Sequence, residues 1–250
     1  MSTKDEDAKS QSQAFEVLFL ANFVHQVVNP LNGIAGTLDN IADGVYKGDD
    51  IKRKANSARG QLEACIGLVR NLAFFSDISS STAVSREPNT GVISILPQVV
   101  IESAQFYQDA AAERKIYIEL SDKTTQYALR ARPEAIKQVF MNLFDNATKY
   151  ADTETTVTIV PTISKNKTLS VAVSSTGIGI PGNDLDRIFD LSYRSASAKS
   201  SKALGSGIGL FICRRIMNDF IGGTISAEHN GRTSVTTFTL KFPQERWFLR

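Results

Sequence analysis

Asn142, Asn146 and Lys149 stand at i, i+4 and i+7 of EAIKQVFMNLFDNATKYA. On a helix they fall within about 60° of one another. Ile136, Phe140, Leu143 and Ala147 form an apolar stripe about 100° further round the same helix. Two amides and an ammonium beside a core stripe suit a Mg²⁺–phosphate group, because an amide oxygen ligates the hard cation and the lysine offsets phosphate charge. A plain solvated helix face carries the same residues, so the stripe needs company. Two glycine loops supply it. In VSSTGIGIP, residues 173–181, two glycines follow a run fit for a β-strand. In GSGIGLFICRR, Gly205, Gly207 and Gly209 alternate ahead of a helical run. Backbone amides of such a loop, with the helix N-terminus behind them, make a phosphate site. Between the loops, IFDLSYRSASAKSSKAL carries Arg194, Lys199 and Lys202. It reads as a mobile loop or as a lid that brings cations to phosphates.

The elements that must position these residues are legible in outline. Leu20, Val24, Val27, Leu31, Ile34, Leu38, Ile41 and Val45 are spaced 4, 3, 4, 3, 4, 3, 4, a heptad seam. Gly48-Asp49-Asp50 breaks it, with an aspartate suited to capping a second helix. The rhythm resumes through Ile51, Ala55, Ala58, Leu62, Cys65, Val69 and Leu72. An antiparallel helical hairpin over 14–78 follows, preceded by a polar tail at 1–13 expected to be disordered. One hairpin cannot cover its own apolar stripe, so two are expected to pair as a four-helix bundle; packing on the rest of its own chain is the alternative.

Residues 79–90 read as a linker of small, polar and Pro/Gly residues. Beyond it, helical patterns over 96–112, 134–150 and 206–221 mix with strands at KIYIEL, VTIV and LSVAV. A hairpin turns at Asn230-Gly231. The fold class expected over 91–243 is a two-layer α/β sandwich with helices on one face of a mixed sheet, and 244–250 is a C-terminal tail. A formal charge of +2 argues against bulk electrostatic binding to nucleic acid or membrane and leaves open a local basic patch. The polar start lacks a secretory core, and no apolar run approaches the ~20 residues of a membrane span. A cytoplasmic chain with reduced Cys65 and Cys213 is expected.

Over residues 14–243 the chain resembles the catalytic core of two-component sensor histidine kinases. NLFDNATKYA is similar to the family's N box, STGIGI to its first glycine box, IFDLSYR to its F box and GSGIGL to its second glycine box. All four stand in family order. The resemblance implies the ATP-binding sandwich shared with Hsp90, MutL and type II topoisomerases. It adds Tyr150, Ser175, Gly177, Gly179 and Phe189 to the nucleotide set and makes Asn146 the Mg²⁺ ligand. FVHQVVNPL resembles the H box. His25, beside seam residue Val24, is then the phosphoacceptor, and Pro30 removes one helical hydrogen bond and should kink the helix near it. Asn29 matches the amide that orients water for dephosphorylating a partner.

Two positions depart from the family pattern. Gln26 stands where an acidic base usually takes the second imidazole proton, and an amide cannot accept it. Ser175 stands where an aspartate usually meets the adenine amino group. Losing a charged hydrogen bond costs ~1.5–3 kcal/mol, about 10- to 100-fold in affinity. The expected function is a homodimeric, Mg²⁺- and ATP-dependent kinase that phosphorylates His25 and passes the group to an aspartate of a separate receiver-domain response regulator. A separate sensory protein would supply its input. The alternative is a degenerate kinase acting as a signalling, phosphotransfer or phosphatase module.

Overall fold

The computed structural model describes residues 3–80, 92–201 and 205–250. The linker expected at 79–90 therefore lies outside the described residues except for its first two positions, which close a helix; Lys202 lies outside them too. The chain divides into a helical unit and an α/β unit, each described here by itself.

The helical unit is a hairpin of α1 (Thr3–Ala42) and α2 (Asp49–Ser80). The tail expected at 1–13 is corrected: α1 already runs from Thr3. Its first residues are mostly helix formers (Lys, Glu, Ala, Gln). α1 stops in a Schellman turn. Gly44 takes the left-handed φ of 68°, its amide donates to Ile41, and Val45 donates to Asn40. The heptad seam splits in two. Ala58 and Cys65 are buried, with Val27, Ile34, Ile41 and Leu72 half-buried. The Cys65 thiol reaches the Val27 carbonyl. Val24, Leu31, Leu38, Val45, Leu62 and Val69 are exposed.

The α/β unit begins with β1 (Ser94–Ile95), α3 (Leu96–Phe106) and α4 (Gln108–Glu113); the single helix expected over 96–112 is two, parted at Tyr107. β2 (Tyr117–Leu120), β3 (Tyr127–Leu129) and α5 (Pro133–Tyr150) follow. β4 (Thr156–Ile163) and β5 (Leu169–Thr176) come next. Then come the short α6 (Ala196–Ser200) and α7 (Gly209–Arg215), which runs on as a π-helical turn through Ile216–Ile221. β6 (Thr224–Asn230), β7 (Val235–Phe242) and β8 (Trp247–Leu249) complete it.

A five-stranded sheet has the order β2-β4-β5-β7-β6, parallel at β2–β4 and antiparallel elsewhere. Its inward rows alternate as half-buried strands should: Leu169, Val171 and Val173 on β5, Phe238, Leu240 and Phe242 on β7. The helical layer supplies Leu96, Val99 and Val100 from α3, Ile136, Phe140, Leu143 and Ala147 from α5, and Ile212 and Cys213 from α7. This is the mixed-sheet sandwich the sequence leads one to expect. The tail expected at 244–250 is corrected. β8 pairs with β3, which also pairs with β1, in a second small sheet. Trp247 is buried and donates Nε1–H to the Lys167 carbonyl at 2.9 Å, so burial of one large side chain ties the segment down.

The hairpin expected at Asn230-Gly231 exists, but Asn230 pairs with Val235, leaving a four-residue loop. The Asn230 side chain accepts from the Arg232 amide within it. That register sets His229 opposite Thr236, and Thr236 opposite Ser175 on β5.

Candidate nucleotide site

The end of α5 builds one wall of a cavity. Arg114 secures that end, its guanidinium donating to the carbonyls of Thr148 and Ala151, which a helix C-terminus leaves unpaired. The first glycine loop is stitched to the same place. Ile178 donates its amide to Tyr150, and Ala151 bridges to Gly177. A Cβ on Gly177 would fall 2.7 Å from the Ala151 Cα and closer still to the Tyr150 carbonyl, so only glycine lets these backbones meet. The cavity between them has an apolar slot of Leu143, Ala147, Val173, Leu210 and Phe238. Polar groups edge it: Asn146, Tyr150, Ser175 and Thr236, with Ser195 and Ser197 from the segment that follows the loop.

The structure thus brings Asn146, Tyr150, Ser175, Gly177 and Gly179 into one site. Asn142 is not in its wall. It is buried, and its Oδ1 accepts weakly from Gln138 at 3.5 Å. The same Oδ1 lies 3.4 Å from where a Cβ on Gly209 would stand, so this amide meets the start of α7. Lys149 is held by Asp145 at 2.6 Å. Phe189 is buried and offers a ligand no surface; it packs edge-on at 6.4 Å against Phe238 and so backs the slot. Arg194 donates to the Ala198 carbonyl at 2.6 Å, and Lys199 is exposed on α6. Gly207 adopts φ 72°, where a Cβ would lie 2.6 Å from the Tyr193 carbonyl; Gly205 is half-buried ahead of it and Gly209 opens α7.

An apolar slot edged by hydroxyls fits a purine, and Asn146 offers an oxygen for a hard cation. Thr236, Ser195, Ser197 and Phe238 escaped the sequence reading. Their only signal is register: Thr236 and Phe238 share the face of β7 that Ser175 and Val173 present on β5. His229 is half-buried, with Nδ1 3.0 Å from the Thr236 hydroxyl.

On α1, His25 and Asn29 are exposed one turn apart, and Gln26 is half-buried. Pro30 lies inside the helix, where it has no N–H to donate to the preceding turn.

Cys65 and Cys213 are free thiols. Complete burial pushes Cys213 up to about 12, although the Asn142 amide bears on it in the opposite sense. Its folded value lies above that of an unfolded thiol, about 8.5. Keeping it neutral therefore stabilises the fold fully below that value, and the contribution fades as pH rises towards 12. Cys213 should resist a thiol reagent at pH 8 in the native protein and react once denaturant is added; fast native labelling in a Cys65→Ala variant would contradict its burial.

Residues 131–246 match the histidine kinase-, DNA gyrase B-, and HSP90-like ATPase family. The chain is 26% identical over 238 residues to sensor histidine kinase WalK of Bacillus subtilis, covering 91% of this chain and 37% of that protein. It is 28% identical over 246 residues to sensor histidine kinase RcsC of Escherichia coli, covering 94% and 24%. The chain thus spans well under half of these relatives. Among solved structures, Acinetobacter baumannii histidine kinase AdeS superposes with a TM-score of 0.62 at 22% identity, covering 88% of this chain and 98% of that one. Histidine kinase ThkA, in complex with response regulator protein TrrA, gives 0.64 at 19% identity, covering 96% and 66%. The α/β unit shares the fold of these solved kinases, and a helical hairpin precedes it in the chain. Residues 131–246 are thus similar to the histidine kinase-, DNA gyrase B-, and HSP90-like ATPases, and the chain as a whole is similar to part of the sensor histidine kinases.

Proposed function

We propose that this chain is a protein-histidine kinase that phosphorylates His25 from Mg²⁺-ATP and passes the phosphoryl group to an aspartate of a separate receiver domain. The observation that carries this reading is His25 itself: an exposed imidazole on a Pro30-containing helix, in a chain whose other unit holds the ATPase-type cavity. An imidazole nitrogen attacks the γ-phosphorus in line, the N–P bond forms, and the bond to the β-phosphate oxygen breaks to release ADP. The proton on the other ring nitrogen has no acceptor in Gln26 and must pass to water. Mg²⁺, when bound, neutralises phosphate charge, and Asn146 is the residue that would hold it. Asn142, Lys149, Arg194, Lys199, Lys202 and the glycines Gly205, Gly207 and Gly209 serve the phosphate end in this reading.

The test is incubation with γ-labelled ATP and Mg²⁺. Acid-labile label that vanishes in His25→Ala supports the kinase; label retained in His25→Ala means the wrong residue has been named. No label in either form favours the second reading, a phosphotransfer or phosphatase module. That reading draws on Gln26, Ser175 and the exposed Asn29 one turn past His25.

The receiver partner is suggested by ThkA, solved with a response regulator. A separate sensory protein would set the activity, and a supply of ATP places the chain in the cytoplasm. A second copy of the chain would cover the exposed heptad series on Val24, Leu31, Leu38, Leu62 and Val69 and complete a four-helix bundle. Residues 1–78 should be helical and dimeric. Leu31→Ala should keep the helicity and weaken the dimer about 10- to 100-fold, the worth of ~1.5–3 kcal/mol per buried side chain. A helical fragment that sediments as a monomer at high micromolar concentration would remove the bundle.

A further inference from the structure

Three neighbouring strands place Ser175, Thr236 and His229 side by side in one row, with Ser175 opposite Thr236 and Thr236 opposite His229. Ser175 and Thr236 line the cavity, and Thr236 is buried. His229 Nδ1 meets the Thr236 hydroxyl at 3.0 Å. The far edge of the ring is pinned too: a Cβ on Gly179 would lie 2.5 Å from Nε2. The Gly179 carbonyl in turn accepts from the Ser197 hydroxyl at 3.0 Å. The imidazole is therefore clamped between the first glycine loop and β7, and nothing in the phosphoryl-transfer reading uses it.

We propose that the row Ser175–Thr236–His229 reads the 6-position of a bound purine through hydroxyls, admits 6-amino and 6-oxo purine nucleotides alike, and depends on His229 as the positioning residue that orients Thr236. The inference rests on the nucleotide reading of the cavity and adds its base specificity. A carboxylate only accepts hydrogen bonds, so it suits a 6-amino group and repels a 6-oxo group. Hydroxyls do both. Thr236 has one proton, and its burial requires that proton to find a partner. When His229 Nδ1 accepts it, Thr236 presents lone pairs to the cavity and takes a 6-amino group. When the other neutral tautomer donates from Nδ1, the Thr236 proton turns to the cavity and meets a 6-oxo group. Only protons move between the two arrangements, so one heavy-atom geometry serves both bases.

The experiment is calorimetry of the full chain with Mg²⁺ and non-hydrolysable ATP and GTP analogues. Wild type should bind the two within about 10-fold of each other, since no charged hydrogen bond discriminates them. Thr236→Val should weaken both by about 10-fold. His229→Ala should weaken both and change their ratio, whereas His229→Asn, which keeps an amide near the Nδ1 position, should restore wild-type behaviour. The double variant should bind no worse than Thr236→Val alone, because the histidine acts through the threonine. Ser175→Asp should strengthen ATP binding and weaken GTP binding. His229→Ala with wild-type affinities for both analogues would overturn the proposal while leaving the nucleotide reading intact; so would wild type preferring ATP by more than about 100-fold. Failure of every form to bind either analogue would remove the nucleotide reading and this inference with it. Thermal melting of each variant separates lost folding from lost recognition, and Thr236→Val with His229→Asn carries the test if His229→Ala does not fold.

Discussion

Gln26→Glu should raise the rate of His25 phosphorylation at saturating ATP by about 10²-fold or more. The side chain next to the exposed imidazole is an amide, and an amide nitrogen or oxygen does not take a proton at neutral pH. A glutamate of nearly the same shape does. General-base assistance of this kind is worth ~10²–10⁴-fold, so even a partial gain is measurable. Ser175→Asp acts on another quantity, lowering the apparent KM for ATP with little change in the maximal rate. The two residues belong to separate units, so their effects on kcat/KM should multiply. Acid-labile label must still vanish in His25→Ala. If wild type and the double variant both lack phosphohistidine, the kinase reading gives way to a phosphotransfer or phosphatase module.

Gly177→Ala should abolish nucleotide binding and lower the melting temperature of the α/β unit. The added methyl would meet the backbone of Tyr150 and Ala151, not the tip of a flexible side chain. The bridge between α5 and the first glycine loop has to open to admit it. Overpacking against backbone costs about 1–3 kcal/mol or more, several degrees for a unit of this size. Gly231→Ala is the matched control, since a Cβ there meets nothing within 4 Å. Equal melting and equal ATP binding in the two variants would show that the loop does not depend on the close approach at Gly177.

The chemistry-bearing helix was legible because its pattern is local: Ile136, Phe140, Leu143 and Ala147 alternate with Asn146 at helical spacing, and all four apolar residues are buried. Asn142 shows the limit of the same rule. Its angle on the helix is close to that of Asn146, but Gly209 lets α7 come close enough to cover it, and no periodicity within one helix reports a neighbour. The heptad seam showed that an apolar stripe exists, not which half the hairpin covers; that depends on how α1 and α2 are rotated about their axes. His229 was hidden by a turn. Asn-Gly suggests a two-residue loop, which would set His229 opposite Arg232, whereas the four-residue loop sets it opposite Thr236. β8 is three residues long and carries no alternation to read; only burial of Trp247 marks it.

The π-helical turn after α7 bears on how this domain tolerates insertions and deletions. Ile212, Cys213, Ile216, Met217 and Ile221 are all buried; an ordinary helix would turn residue 220 onto this stripe, and the wide turn brings Ile221 there instead. Phe220 is left outside the core, under the Arg132 guanidinium at 5.8 Å. Deleting one residue between 216 and 221 would close the turn to an ordinary α-helix, keep the helix continuous, and rotate everything ahead of it by about 100° relative to β6. The second glycine motif would survive in sequence and face the wrong way. In a lineage of such chains, a one-residue gap at this turn is therefore a change of aim at Gly209, and it should be accompanied by a compensating insertion before Gly222 or by loss of nucleotide binding.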